Sequence, residues 1–494
     1  MHIDGREAMH RAGRAMGEGR TAASVSGAVS PSWASAARQR AHLAAIAPDG
    51  TVAGGPTVSP IDFGADPTGA TDSTAAFTNA MAALLNHSSH AVPPMADAIV
   101  NLGGATLDLR GGEYLVSQPL IIPKLVGNVR IRGGSLLASP SFPAGRFLIE
   151  VGEEGCNAKV PQAVCNEMIG LDSIFLDAAH VAAGGIKVAS TMGTTIGPSS
   201  FFTGFVEAGV RVLAGHETQV SESWLAEYYW SDHAPARANS TSIGIDLRGQ
   251  DNFVTDVIVF DFTKVGVSVD GAATLLHGVH TWNGGGTGIL INGSYAIQDR
   301  LLACYLDYNS LVLVDPSQTV VEDTFFLDTQ AVLHRSEQAA AQKTPMRSVV
   351  FRENVYAFGG AAQRGVNTSI VLNGTWVSCA AVTVADELSA KRCTAADDWA
   401  CGIKQTTARL SVPYAPPSRP APGTVYKMSL DFGAQLLMPR IDHVQLTLVL
   451  DRELDPANQP APLTYSVQGT TVTAATMSHW FVNGTLHAEV RQCL

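Results

Sequence analysis

Residues 244–291 read GIDLRGQDNFVTDVIVFDFTKVGVSVDGAATLLHGVHTWNGGGTGILI. Three times in this stretch a glycine opens a short alternating segment: GIDL from Gly244, GVSV from Gly266 and GILI from Gly288. GIKV from Gly185 and GVRV from Gly209 precede them, and LVLV from Leu311 continues the series, with spacings of 24, 35, 22, 22 and 23 residues. Apolar residues hold the second and fourth positions. That is the period of a half-buried strand, not of a helix. A fixed repeat of this size marks a solenoid. One strand cannot bury its apolar face alone, but stacked coils give each strand a parallel partner and share one interior. The sequence therefore predicts an all-β chain, a right-handed parallel β-helix. The asparagine-centred consensus of leucine-rich repeats is missing.

Counted from each glycine, the second and fourth positions point inward and the third and fifth outward. The outward third positions are Lys187, Arg211, Asp246, Ser268 and Leu290, and the fifth include Arg248, Asp270 and Asn292. Arg211, Asp246, Arg248 and Asp270 are thus expected to form one charged patch. In the turn that follows, His216 and Asp251 share the eighth position, and Glu217 and Asn252 the ninth. Turns of a solenoid also need Asn, Asp, Thr and His to brace backbone groups, so a turn ladder is the rival account of these residues. Asp256, at the thirteenth position, is expected to start a second strand. His280 and Asp307 are weaker candidates.

The spacing of 35 is one coil with an insertion, AEYYWSDHAPARANST at 226–241. Insertions of this kind become loops, often on the binding face. Tyr229 and Trp230 in it suit stacking on sugar rings, or packing of the loop on its coil.

ADPTGATD ahead of the coils is turn chemistry. Asp72 or Ser73 can cap a following helix. Ala76, Phe77, Ala80, Met81, Leu84 and Leu85 recur on one helical face, which suits a plug for the open end. From about residue 405 the strands lengthen and become antiparallel in character, and Asn483-Gly484 is a hairpin signal. The expected organisation is a tail or leader-like segment over 1–55, the β-helix over 56–385, and a linker with a small antiparallel β domain over 386–494.

The chain has 494 residues, 46% hydrophobic and 15% charged, with a formal net charge of −12. An acidic chain is a poor binder of nucleic acid. No apolar run is long enough to span a membrane. Six sequons, at Asn86, Asn239, Asn292, Asn367, Asn373 and Asn483, favour export, although the first 55 residues show no apolar signal core. Of seven cysteines, Cys156 and Cys165 can pair across a short loop, and Cys379, Cys393, Cys401 and Cys493 can give two more bridges; all thiols reduced is the alternative. Cys304 lies in a strand-like run and is expected as a buried thiol.

DFGADPTGATDSTAAF, from Asp62, resembles the opening signature of the pectate-lyase-3 (rhamnogalacturonase/epimerase-like) β-helix family. LDLRGGEYLVSQPLIIP, GVRVLAGHETQVSESWL, GIDLRGQDNFVTDVIVF, GVHTWN, CYLDY and RIDHVQLTLVL resemble more narrowly its Quartet-type subfamily of plant polygalacturonases, over about residues 58–450. The resemblance implies action on cell-wall galacturonan, in an extracellular or cell-wall setting. Ordinary polygalacturonases carry N-T-D, G-D-D, G-H-G and R-I-K blocks on consecutive coils, and these coils lack them. Catalysis must then use other carboxylates: Asp246, Asp251, Glu217 and Asp256 are the candidates, with Arg211, Arg248, His216, Asp270, Tyr229, Trp230 and His280 against substrate. The expected partner is a pectin-like polysaccharide, and hydrolysis by paired carboxyl groups needs no cofactor or metal. A lyase or epimerase on the same polymer, or a wall-binding β-helix without activity, are the alternatives.

Overall fold

Glycine-led segments stack. The computed structural model describes residues 55–86, 95, 99–155, 164–227, 242–282, 286–293, 296–327, 329–334, 336, 349–352, 354–357, 369–373, 382–384, 407–415, 425–433, 436, 441–451, 463–477 and 483–491. Ten strands form one parallel ladder: β1 (Leu120–Ile122), β2 (Phe147–Gly152), β3 (Gly184–Ala189), β4 (Ala208–Val212), β5 (Ile243–Leu247), β6 (Val265–Val269), β7 (Thr287–Asn292), β8 (Ser310–Val314), β9 (Gln330–His334) and β10 (Ser369–Asn373). Lys187, Arg211, Asp246, Ser268 and Leu290 stand side by side on consecutive strands, as the repeat predicts.

The second and fourth positions fill the interior. Val210 and Val212, Ile245 and Leu247, Val267 and Val269, and Ile289 and Ile291 are all fully buried in one continuous core. The glycines are needed for stacking. A Cβ on Gly244 would meet the Gly266 carbonyl oxygen at 2.5 Å and a Val259 methyl at 2.4 Å. One register differs from the expectation. Leu311 pairs with Ile289, so Ser310 and not Leu311 fills the glycine slot of β8.

From β5 to β9 each strand of the ladder is followed by two shorter strands. After β5 come Phe253–Thr255 and Ile258–Phe260, which pair in parallel with Leu275–His277 and His280–Trp282 of the next coil. Asp256 does not start a strand. It lies in the turn between these two, with a left-handed φ of 54°, and is exposed.

The expected helix is α1 (Thr74–Leu85). Asp72, not Ser73, supplies the side-chain cap, since Asp72 Oδ1 accepts from the Thr74 N–H at 2.9 Å. Ala76, Phe77, Ala80, Met81 and Leu84 are buried in the same core as the first coils, and Phe77 meets Tyr114 edge-on at 5.1 Å. Far along the chain, two antiparallel sheets join Thr407–Tyr414, Gly484–Arg491 and His443–Leu450, and Val425–Asp431, Thr471–Met477 and Thr464–Gln468. Asn483-Gly484 opens a strand there; the tight hairpin instead turns at Gly469. Cys304 is a buried free thiol, pushed up to about 12 by burial. Cys165 is disulfide-bonded. Cys156, Cys379, Cys393, Cys401 and Cys493 lie outside the described residues. No helix among the described residues is long and apolar enough to cross a membrane.

Candidate active site

Two groups of charged residues lie on β4, β5 and β6 and in the turns that follow β4 and β5. The first sits on the strand face. Asp246 occupies an outward position, yet its side chain is only 3% exposed. Two arginines cover it. Arg211 Nε donates to Oδ2 at 3.0 Å, and Arg248 Nη2 donates to the same oxygen at 2.9 Å. Arg211 also donates to Glu207 Oε2 at 2.7 Å, and its guanidinium lies over the Phe147 ring at 5.4 Å. Both arginines are therefore engaged by protein carboxylates, where the sequence left them for a substrate. Asp246 Oδ2 is shared between the two guanidinium groups.

Asp270 follows β6 by one residue on the neighbouring coil. Burial raises its carboxyl above the usual range; Asp246 pushes the same way and Arg248 opposes. Asp270 Oδ1 is buried without a hydrogen-bond partner among the described residues. Such atoms are rare in native proteins and call for an explanation.

The second group lies in the turn. Counting from the glycines sets Glu217 opposite Asn252. The structure shifts this by one, because the turn after β4 is one residue longer than the turn after β5: Val212 faces Leu247, but Gln219 faces Phe253. Glu217 consequently stacks on Asp251, its N–H bonding the Gln250 carbonyl, with left-handed φ of 51° and 55°. The same slot on the next coils holds Ala273 and Gln298. His216 Nδ1 is 3.4 Å from Asp251 Oδ2, and the Asp251 side chain is 47% exposed. Burial raises the Glu217 carboxyl, with His216 opposing and Asp251 reinforcing. Glu217 Oε2 is buried with no partner among the described residues. One carboxyl is shielded and the other open, which is the asymmetry an acid/base pair needs.

The next position inward is a turn ladder. Thr218, Asn252, Thr274, Asp299 and Thr319 are all buried. Asn252 Oδ1 accepts from the Thr218 N–H at 3.3 Å, and Asp299 Oδ1 from the Thr274 N–H at 2.9 Å. Asn252 and Thr218 are thus braces.

Asp256 and His280 are not brought into this site. Asp256 belongs to the second turn of the coil, where Glu222 and Asp323 are also exposed. His280 lies on the third sheet, with Nε2 3.3 Å from Asp307 Oδ2 and its ring edge-on to Tyr305 at 4.8 Å. It belongs to a column of rings, Phe201, Trp224, Tyr305 and Phe325 among them. Tyr229 and Trp230 lie outside the described residues.

The model of the rhamnogalacturonase A/epimerase, pectate lyase-like proteins matches residues 58–290. Polygalacturonase QRT3 of Arabidopsis thaliana is 34% identical over 396 residues, which is 79% of this chain and 76% of that one. The chain belongs to this pectate lyase-like family. Among solved structures, the mannuronan C-5 epimerase AlgE4 A-module of Azotobacter vinelandii shares 13% identity, covering 67% of this chain and 97% of that one at a TM-score of 0.35. The exopolygalacturonase of Thermotoga maritima shares 11%, covering 67% and 90% at 0.35.

Upstream on the same face the structure adds acidic residues that the repeat count does not reach. Glu150 of β2 stands beside Lys187, and with Glu153 and Glu154 it lines a cavity of about 270 Å³. FLIEVG at 147–152 has the alternation but no leading glycine, so the repeat count does not register it. Glu207 escapes because it precedes its glycine. Among the described residues no group of three or more His, Cys, Asp or Glu is arranged to hold a metal ion.

Proposed function

We propose that the protein is a glycoside hydrolase of a pectin-type, uronic-acid cell-wall polysaccharide, acting outside the cell, with Glu217 as general acid and Asp251 as general base. The observation that carries this is the stacking of a shielded Glu217 on an open Asp251 in adjacent coils. A glycosidase needs one carboxyl that keeps its proton for the leaving oxygen and one that is ionised to activate water. Desolvation raises the Glu217 carboxyl, the direction the first role requires. Asp251, the more open carboxyl beside His216, is placed for the second role. Adjacent strands lie about 4.8 Å apart, and side chains of unequal length can diverge to admit a water between them. Asp246 is a positioning residue that fixes Arg211 and Arg248 along the strand face. Polygalacturonase QRT3, by its name, acts on polygalacturonan, which supports the substrate class.

The test is incubation of the purified protein with a polysaccharide panel, reading new reducing ends and ultraviolet absorbance together. The expected result is reducing ends from a uronic-acid polymer with no rise in absorbance. An absorbance rise would mark an unsaturated product and a lyase. Binding without new reducing ends would leave a wall-binding protein.

A further inference from the structure

We propose that the column of rings on the third strand of each coil is a second binding surface, taking a neutral glucan whose pyranose rings are joined equatorially into a flat ribbon. The proposal is independent of the hydrolase reading and concerns a different face of the coils. The column runs from Phe175 to Phe325 with one residue from each of seven consecutive coils, Trp224, His280 and Tyr305 among them. The residue after each, from Leu176 to Phe326, is buried, so the column itself points outward. Six steps of about 4.8 Å make it about 29 Å long. Trp224 is 43% exposed and Tyr305 37%. Large apolar side chains lined up at the surface mark an interaction site more often than isolated ones do.

Charge decides the kind of ligand. The ladder face carries Lys187, Arg211 and Arg248. Neither the column of rings nor the outward column two residues on, Asp177 to Leu327, holds a lysine or an arginine among the described residues. His280 is paired with Asp307 at 3.3 Å. A uronate that left water for this surface would find no guanidinium or ammonium partner in either column, whereas an uncharged sugar needs none.

Shape narrows it further. Stacking of the coils sets the rings in a straight file, so the ligand that fits them is straight as well. Equatorial linkage at both ends of each pyranose gives such a ribbon, with C–H groups on its faces and hydroxyls along its edges. Galacturonan is linked axially at both ends and presents no continuous flat face. Trp224 offers the largest apolar ring of the column to those faces. The Tyr305 hydroxyl and the His280–Asp307 pair offer hydrogen-bonding groups to the edges. The rings also hold one another in place: Tyr305 stacks on Phe325 at 4.6 Å, and Trp224 stands edge-on to Phe201 at 6.4 Å and to Phe260 at 5.9 Å. Little ordering is then left to be done on binding. Such a surface would hold the protein on a neutral wall glucan while the groove works on the acidic polymer.

The experiment measures binding of cellohexaose by calorimetry, and retention on microcrystalline cellulose, for the full chain and for Trp224→Ala, Trp224→Tyr and Tyr305→Ala, each checked for native unfolding. The expected result is that the native protein binds both glucans. Trp224→Ala should weaken binding by about tenfold, Tyr305→Ala should weaken it as well, and Trp224→Tyr should keep most of it. Reducing-end release from soluble galacturonan should be the same in all four proteins, since a strand and a corner separate Trp224 and Tyr305 from the turns that carry Glu217 and Asp251. No binding of either glucan by the native protein would overturn the proposal, as would binding that survives both alanine substitutions. A dimer that Trp224→Ala dissolves, without glucan binding, would assign the column to a second copy of the chain and overturn it too. Glucan binding that depends on Trp224, in a protein that cleaves no uronic-acid polymer, would support this surface and sink the hydrolase reading alone.

Discussion

Glu217 and Asp251 occupy a backbone slot that does not require a carboxylate, since Ala273 and Gln298 fill it on later coils. Their left-handed backbone is likewise a property of the turns, shared with Ser199, Glu222 and Ala303 at another corner. Strain therefore says nothing about function here, and shielding does. Asp246 shows the opposite case. Alternation along GIDL made its outward direction legible, but nothing in the sequence tells a groove acid from a buried brace. The approach of Arg211 and Arg248 supports the brace. Asp246→Asn would leave two guanidinium groups facing a neutral amide beneath them. The expected cost is about 2 kcal/mol of unfolding free energy, read by denaturant titration, because charge-assisted hydrogen bonds to a buried carboxylate are lost while Arg211 keeps Glu207 and Arg248 keeps solvent. Unchanged stability would mean the clamp is decorative.

At the scale of the coil element, strands were legible and turns were not. The glycine-led alternation fixes which residues enter the ladder, and β4 to β7 follow it. Turn length varies by a residue from coil to coil, and counting from the glycine cannot detect that. The count sets Glu217 and Asp251 on adjacent coils but one place out of register for this reason. The inner turn ladder carries a prediction of its own. Asn252 Nδ2 donates to the Gly249 carbonyl at 2.7 Å, which a carboxylate in that ladder cannot do. Asp299 holds the equivalent place, with Oδ2 buried and unpartnered among the described residues, and burial pushes its carboxyl up to about 7. A folded value above the unfolded one means that folding favours the protonated acid. Stability is then full below the unfolded value of 3.8 and falls as pH rises from there through about 7. The loss is about 4 kcal/mol at most. Asp299→Asn should flatten that fall, because an amide does not titrate over this range. Parallel pH–stability curves for the two proteins would discard the argument.

For the whole molecule, one interior runs from α1 through the coils, and it brings residues 35 apart in sequence into contact, as with Arg211 and Asp246. That much followed from a period in the sequence. The aromatic column around His280 did not, because its rings sit on the third strand of each coil, where the repeat is weakest. Stacking is also what makes an active site out of residues from separate coils, so the account stands on two neighbouring turns acting as one unit. The most direct measurement is reducing-end release by the native protein, Glu217→Gln, Asp251→Asn and the double variant, each checked for native stability. The account predicts that either single substitution lowers kcat by roughly 10²–10⁴-fold, and that the double variant is little worse than the poorer single. Native turnover in a folded Glu217→Gln or Asp251→Asn protein would contradict it.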